Sequence, residues 1–279
     1  MDPIALPQVP LRIAAAQACP AAGDVVANVR TAAEFVRAAG ARVVVLPEKF
    51  LSGYEPDLIG SDPGRYAVHA QDSRLDPIAE ACRDTGTVAV VGAATRADGE
   101  LFISSLVFGG DGDVLTRYDK QFLFGSERKL FSPGAAGCTL EVDGWQLGLG
   151  ICYDSGFPEH ARAAATDGAH AYLVSALFSV GNGFHESRTW LPARALDNTV
   201  YVLLANHTGT TGGWTTCGGS AVWGPDGRLL TQAGPDDTTL VIADLDPDRL
   251  SAARTAEPLL ADLTTPAPDA LRRRGTVRA

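Results

Sequence analysis

At 279 residues, with 46% apolar and 20% charged side chains, the chain has an ordinary soluble composition and length enough to bury a substantial core. Its 33 acidic residues against 23 basic ones give a net charge of −10, which argues against nucleic acid and anionic membrane surfaces as partners. No apolar run approaches the ~20 residues that span a bilayer, and Met1 to Val9 lacks the basic segment and apolar core of a secretory signal.

The elements follow in order. Leu11 to Ala16 reads as a short strand ending at Gln17. Asp24 caps a helix that runs through Ala39, with Val25, Val29, Ala32, Ala33 and Val36 recurring at helical spacing, and Gly40 ends it. Arg42 to Leu46 is apolar without alternation, as a strand covered on both faces would be, and terminates in Pro47-Glu48. A loop from Glu55 to Arg65 leads to a helix over Asp76 to Thr85 and a second apolar strand over Thr87 to Ala94. Leu101 to Phe108 and Val114 to Tyr118 form a hairpin around Gly109-Gly110-Asp111-Gly112, and Asp119-Lys120 follows. A loop, Phe122 to Gly137, carries Glu127 and Arg128. The hairpin Cys138 to Val142 and Trp145 to Ile151 then ends at Cys152.

The second half repeats this rhythm: helix Pro158 to Asp167, strand Ala171 to Ser175, helix Glu186 to Asn198, strand Val200 to Ala205. A hairpin over Ser220 to Trp223 and Leu229 to Gln232 and a last strand, Leu240 to Asp244, complete it. Strands interleaved with helices and hairpins predict an α/β fold with a mixed sheet. No low-complexity linker divides the chain, so residues 1–279 read as a single domain of two similar halves. The tail from Glu257 (257–279), with Arg272 to Arg274, is expected to be loose or to pack on a partner subunit.

Chemistry concentrates at three strand ends. Glu48, Lys120 and Cys152 each follow an apolar strand, where ligands of open α/β sheets collect. A thiol nucleophile needs a base, a poorly solvated carboxylate can serve as one, and an ammonium can hold an oxyanion. The thiol is expected to lie beside the N–H groups opening a helix, which would lower its pKa. Each residue also has a plainer reading: an inert buried thiol, a capping carboxylate, a solvated cation. Arginine dominates the cations of this chain, and Lys49, Lys120 and Lys129 are its lysines; a lysine kept at a strand end suggests a need for a compact charge. The five cysteines are odd in number and contain no CxxC pair, the histidines lack HExxH spacing, and no phosphate-cradling glycine pattern occurs. No disulfide framework, metal or nucleotide cofactor is expected, and a reducing cytoplasm fits best.

Taken together the motifs resemble the nitrilase superfamily of carbon–nitrogen hydrolases. Val44 to Glu48 with Phe50 and Ser52-Gly53-Tyr54 is similar to its glutamate motif. Tyr118-Asp119-Lys120 with Leu123-Phe124 and Glu127-Arg128 is similar to its lysine motif, and Gly150 to Asp154 with Phe157-Pro158-Glu159 to its nucleophile motif. Arg188-Thr189-Trp190, Ala193-Arg194-Ala195, Asn198, Tyr201-Val202 and Asn206 extend the likeness. The resemblance implies a four-layer αββα sandwich with two mixed β-sheets, a homo-oligomer of at least two subunits, and cofactor-free Glu–Lys–Cys chemistry. It implies Glu48 as base, Cys152 as nucleophile, Lys120 and the Tyr153 N–H at the oxyanion, Glu127 in support and Asp154 as a structural residue. The family's amidase-like members commonly carry arginine where Gly156 stands here; its loss would alter how the turn after the cysteine is held, or open room for substrate.

C-Y-D at the nucleophile, rather than C-W-E, resembles amidases and carbamoylases more than nitrilases. The expected reaction is hydrolysis of a small-molecule primary amide to acid and ammonia; the alternatives are an N-carbamoyl amine hydrolase, a nitrile hydrolase and a non-catalytic scaffold. A papain-like enzyme would instead need His170 or His207 beside the thiol. Tyr54, Tyr153, Phe178 and Trp190 are candidate substrate walls, although aromatic residues at such places also serve as core.

Overall fold

Val43–Val45 is three valines in a row, all buried. Such a strand must be covered on both faces. The computed structural model describes residues 5–263 and shows what covers it. Strands β1 (Leu11–Gln17), β2 (Val43–Val45), β3 (Val88–Ala97), β4 (Glu100–Phe108) and β5 (Val114–Asp119) form one sheet with β12 (Thr239–Leu245), in the order β12-β1-β2-β3-β4-β5. A second sheet contains β6 (Thr139–Val142), β7 (Trp145–Ile151), β8 (Ala171–Ala176), β9 (Tyr201–Asn206), β10 (Ala221–Trp223) and β11 (Leu229–Gln232), in the order β6-β7-β8-β9-β10-β11. In each sheet a central trio is parallel, β1-β2-β3 or β7-β8-β9, and the flanking pairs are antiparallel.

Helices join the parallel strands in both halves. In the first these are α1 (Val25–Ala38) and α2 (Asp76–Thr85); in the second, α3 (Pro158–Thr166) and α4 (Asn182–Asn198). The repeated rhythm of the sequence is therefore a repeated strand order, with β12 returning to pair with β1 through Ile13↔Ala243 and Ala15↔Val241.

Alternation along each strand sorts side chains into layers. Ile13, Val43 and Val45 face Trp145, Leu149 and Leu203 between the sheets. Ala14, Val44 and Val91 face the opposite way, against Val29, Val36 and Ile78 of the first helix pair. Tyr172, Val174 and Leu204 likewise meet Ala161, Leu191 and Ala195 of the second pair. The layers are helix, sheet, sheet, helix: an αββα sandwich.

Three details depart from the sequence reading. Residues 55–65 contain two short helices, Pro56–Ser61 and Pro63–Tyr66, each starting on a proline whose fixed φ suits a first helical turn. Helix α4 starts at Asn182, four residues before Glu186, and takes in the buried Gly183 despite its poor intrinsic propensity; a Cβ there would press on Phe178 and Ser179. Glu127 lies in a 3-10 turn, Gly125–Lys129, and not in open loop. Helix Pro247–Ala256 and a short helix, Leu259–Asp262, end the described chain. The rest of the expected tail, including Arg272 to Arg274, lies outside the described residues.

Candidate active site

Strands β2, β5 and β7 run out at the same end of the sandwich, and Glu48, Lys120 and Cys152 follow them. The Pro47-Glu48 segment packs directly on β3: a Cβ on Gly92 would fall 1.9 Å from the Pro47 carbonyl oxygen, so only glycine admits that approach. Glu48 is pinned from the other sheet as well, since His207 Nε2 donates to its carbonyl oxygen at 2.6 Å.

Lys120 joins the cluster. Its Nζ donates to Glu48 Oε1 at 2.8 Å and to Glu127 Oε1 and Oε2 at 3.0 and 2.9 Å. All three side chains are buried. Glu127 Oε2 also accepts the Phe124 N–H at 2.7 Å, and Oε1 accepts the Tyr54 hydroxyl. Glu48 Oε2 has no hydrogen-bond partner. Burial pushes the Glu48 carboxyl up, with the Glu127 charge reinforcing the shift against the pull of Lys120. Burial acts on Glu127 too, but Lys120, Lys49 and the Tyr54 hydrogen bond outweigh it and hold that carboxyl below its usual range. One carboxylate is thereby made basic while its neighbour stays ionised. Lys120 is itself buried, yet the facing Glu48 and Glu127 raise its pKa and keep it an ammonium.

Cys152 ends β7 and begins a 3-10 turn, Cys152–Gly156, with φ of +46°. That left-handed conformation is unusual for a non-glycine residue and re-aims the side chain at a chain reversal. Its Sγ lies 3.5 Å from the Leu177 carbonyl oxygen. The turn is tied on two sides. Asp154 Oδ1 accepts the Phe122 N–H at 2.8 Å, and Oδ2 accepts the Ile151 N–H and the Tyr118 hydroxyl at 3.0 and 2.7 Å. From α4, Arg194 donates to the carbonyl oxygens of Ser155 and Gly156 at 3.0 and 3.1 Å. Cys152 opens on a cavity of about 330 Å³ lined also by Tyr54, Tyr153, Phe178 and Trp190.

Residues 12–255 match the carbon–nitrogen hydrolase family. The chain belongs to that family. Relatives include a hydrolase of the pqqF 5′ region from Pseudomonas protegens, 35% identical over 90% of this chain and 88% of its own. An (R)-stereoselective amidase from a Pseudomonas species is 34% identical over 76% of each chain. An amidase from Nesterenkonia sp. superposes with a TM-score of 0.77 at 33% identity, over 88% of this hydrolase and 94% of its own chain. Saccharomyces cerevisiae Nit3, of the nitrilase superfamily, gives 0.83 at 26% identity, over 95% and 98%.

Within this hydrolase the structure corrects one expectation and settles two. The thiol is not acidified. Burial, followed by the Glu48 carboxylate, pushes Cys152 up, and the α-helix beyond the turn begins only at Pro158, too far along to supply its dipole. Neither histidine suits a papain-like pair. His207 is spent on Glu48, and burial pushes it down to about 4, so it is neutral. His170 precedes β8, while Cys152 follows β7; with Leu147 paired to Ala171 and Ile151 to Ser175, the two lie at opposite ends of the strands. As for Gly156, Arg194 holds its turn, and the indole of Trp190 fills the adjoining space; a Cβ on Gly156 would sit 3.1 Å from that ring.

Sequence reasoning missed Lys49. It adopts φ of +48°, is fully buried, and has no hydrogen-bond acceptor. Its ammonium lies 3.2 Å from the centroid of the Tyr54 ring and 3.8 Å from Glu127 Oε1. Burial pushes it down to about 8 against the pull of both carboxylates. Lys49 and Lys120 thus balance Glu48 and Glu127. A lysine set among Leu46, Pro47, Phe50 and Leu51 was the available signal.

Proposed function

We propose that the protein hydrolyses a small primary amide to a carboxylic acid and ammonia, through a thioester on Cys152. The observation that carries this is Lys120 bridging Glu48 and Glu127 behind the cavity on which the thiol opens. With the thiol protonated at rest and Glu48 made basic by burial, the proton leaves sulfur as the sulfur attacks the carbonyl carbon. Glu48 Oε2, the oxygen without a partner, receives it. Lys120 and the Tyr153 N–H stabilise the oxyanion. The C–N bond breaks, Glu48 returns the proton to the departing nitrogen, and ammonia leaves. Water then attacks the thioester, Glu48 takes its proton, and acid and free thiol result. Glu127, held by Tyr54 and Phe124, positions Lys120. Tyr54, Tyr153 and Phe178 contact the substrate.

Relatives support an amide. A variant of the Nesterenkonia sp. AN1 amidase carries the acetamide moiety of fluoroacetamide on its active-site cysteine, and another was solved with butyramide. A mouse relative, 32% identical over 85% of this chain, is an omega-amidase. The test is ammonia release from primary amides, ω-amides, N-carbamoyl amines and nitriles, with Cys152→Ala alongside. Amide turnover that vanishes in the variant is expected. Turnover of N-carbamoyl amines or nitriles alone would overturn it.

The same reading places the protein in the cytoplasm, where its five free cysteines stay reduced, as a homo-oligomer. Among the described residues no helix is long and apolar enough to cross a membrane.

A further inference from the structure

Asn182, Glu186 and Trp190 lie four residues apart on α4 and so share one face of that helix. All three line the cavity on which Cys152 opens. Asn182 Nδ2 donates to Glu186 Oε1 at 2.6 Å, which holds the carboxylate in place and leaves Oε2 available. Most of the remaining wall is aromatic, with Leu177, Ser179 and Gly183 between the rings. Phe178 and Trp190 meet edge to face at 6.1 Å between centroids, and Phe124 and Tyr153 do so at 5.4 Å. Among the described lining residues Glu186 is the one carrying a full charge, and no lysine or arginine is among them. The nearby ammonium groups are committed elsewhere, Lys120 to two carboxylates and Lys49 to the Tyr54 face.

An acyl group seated in this cavity therefore meets mainly aromatic faces, and one carboxylate as its charged group. Aromatic faces and a carboxylate both attract a cation, and both disfavour an anion that must shed its water. Resting on the amidase reading above, we infer that the preferred substrates are primary amides whose acyl chain carries a protonated amine, with Glu186 as its counter-charge, and that monoamides of dicarboxylic acids are rejected. Trp190 is part of this selection: it occupies the space beside Gly156 where a longer side chain would otherwise project.

Three amides matched in length test this: 5-aminopentanamide, hexanamide and adipic acid monoamide, which end in ammonium, methyl and carboxylate. The expected order of kcat/KM is amine, then methyl, then carboxylate, with about fivefold or more between neighbours, the scale of one partly screened charge contact. Glu186→Gln is expected to collapse the amine-to-methyl ratio, a quantity internal to each preparation and insensitive to how much enzyme folds. Equal or faster turnover of the monoamide, or a ratio that survives Glu186→Gln, overturns the inference.

Protection of Cys152 against alkylation by iodoacetamide reads the same order without turnover. If the three compounds protect in that order but none is hydrolysed, the amidase reading fails and the pocket assignment stands. If they are hydrolysed in another order, the pocket assignment fails alone.

Discussion

Lys49 and Lys120 lie in one charge cluster under opposite conditions. Lys120 bridges two carboxylates through short hydrogen bonds, whereas Lys49 has the faces of Tyr54 and Phe131 and a carboxylate at 3.8 Å. Removing them should therefore act in opposite directions. Burial depresses Lys49, so between pH 8 and its ordinary value near 10.5 the unfolded chain binds the extra proton, and stability from this group rises with pH across that window. Below pH 8 the buried cation is a standing cost. Lys49→Met is expected to raise stability at pH 7 by up to about 3 kcal/mol, the scale set by that depressed pKa, measured by urea unfolding. The same change removes a positive charge that lowers Glu48, so the acid limb of kcat/KM should move to higher pH. A less stable variant with an unmoved acid limb would refute this balance. Lys120→Ala, by contrast, strands two buried carboxylates, at a cost of about 3–5 kcal/mol as well as activity. Cys152→Ala, which removes no charge from the cluster, is expected to fold with unchanged stability and to lose hydrolysis.

At the level of elements, the turn after β7 is where sequence and structure most need each other. Cys152 at a strand end was legible because the apolar run Trp145 to Ile151 stops there. Its left-handed φ and the 3-10 turn it begins were not. The turn is imposed by Asp154 and by Arg194, which lies 39 and 38 residues from the two carbonyl groups it reaches. Arg194→Ala should cost roughly 1.5–3 kcal/mol, the range for hydrogen bonds to a charged donor, and should lower kcat more than it raises KM because Cys152 loses its placement. Calorimetry and steady-state kinetics check the two halves separately. Gly150 is fixed in the same way. A Cβ there would fall 2.1 Å from the Tyr172 hydroxyl oxygen, whose partner is His160 Nδ1 at 2.8 Å. Gly150→Ala is expected to destabilise the fold by about 1–3 kcal/mol through overpacking, read as a lower urea midpoint; an unchanged midpoint would mean that β8 yields.

For the molecule as a whole, the two sheets bury one another through side chains that each strand presents on a single face. Trp145 is the largest fully buried side chain of this interface, and its indole N–H donates to the Val9 carbonyl oxygen at 2.9 Å. Trp145→Ala leaves a large void between the sheets and removes the hydrogen bond to Val9. It should cost about 3–5 kcal/mol by denaturant unfolding, without bearing on the chemistry of Cys152. A loss below 1 kcal/mol would mean that the sheets close over the gap. The αββα arrangement itself came from family resemblance and not from periodicity. Continuous apolar strands say that both faces are covered, but not whether by helix or by sheet.

What the sequence determined by itself was local: strand and helix positions, the Asp24 cap, the hairpins, and three reactive residues each placed one step beyond an apolar run. Those features depend on neighbours a few residues away, and pattern records them directly. Tertiary structure decided the rest. Glu48 and Lys120 are 72 residues apart in the chain and 2.8 Å apart in the fold; burial makes Glu48 basic against the pull of that ammonium, while Lys120 and Lys49 together hold Glu127 below its usual range. Protonation follows from burial and from charges across space, so the raised thiol of Cys152 and the aromatic wall beside Gly156 have no signature in local sequence.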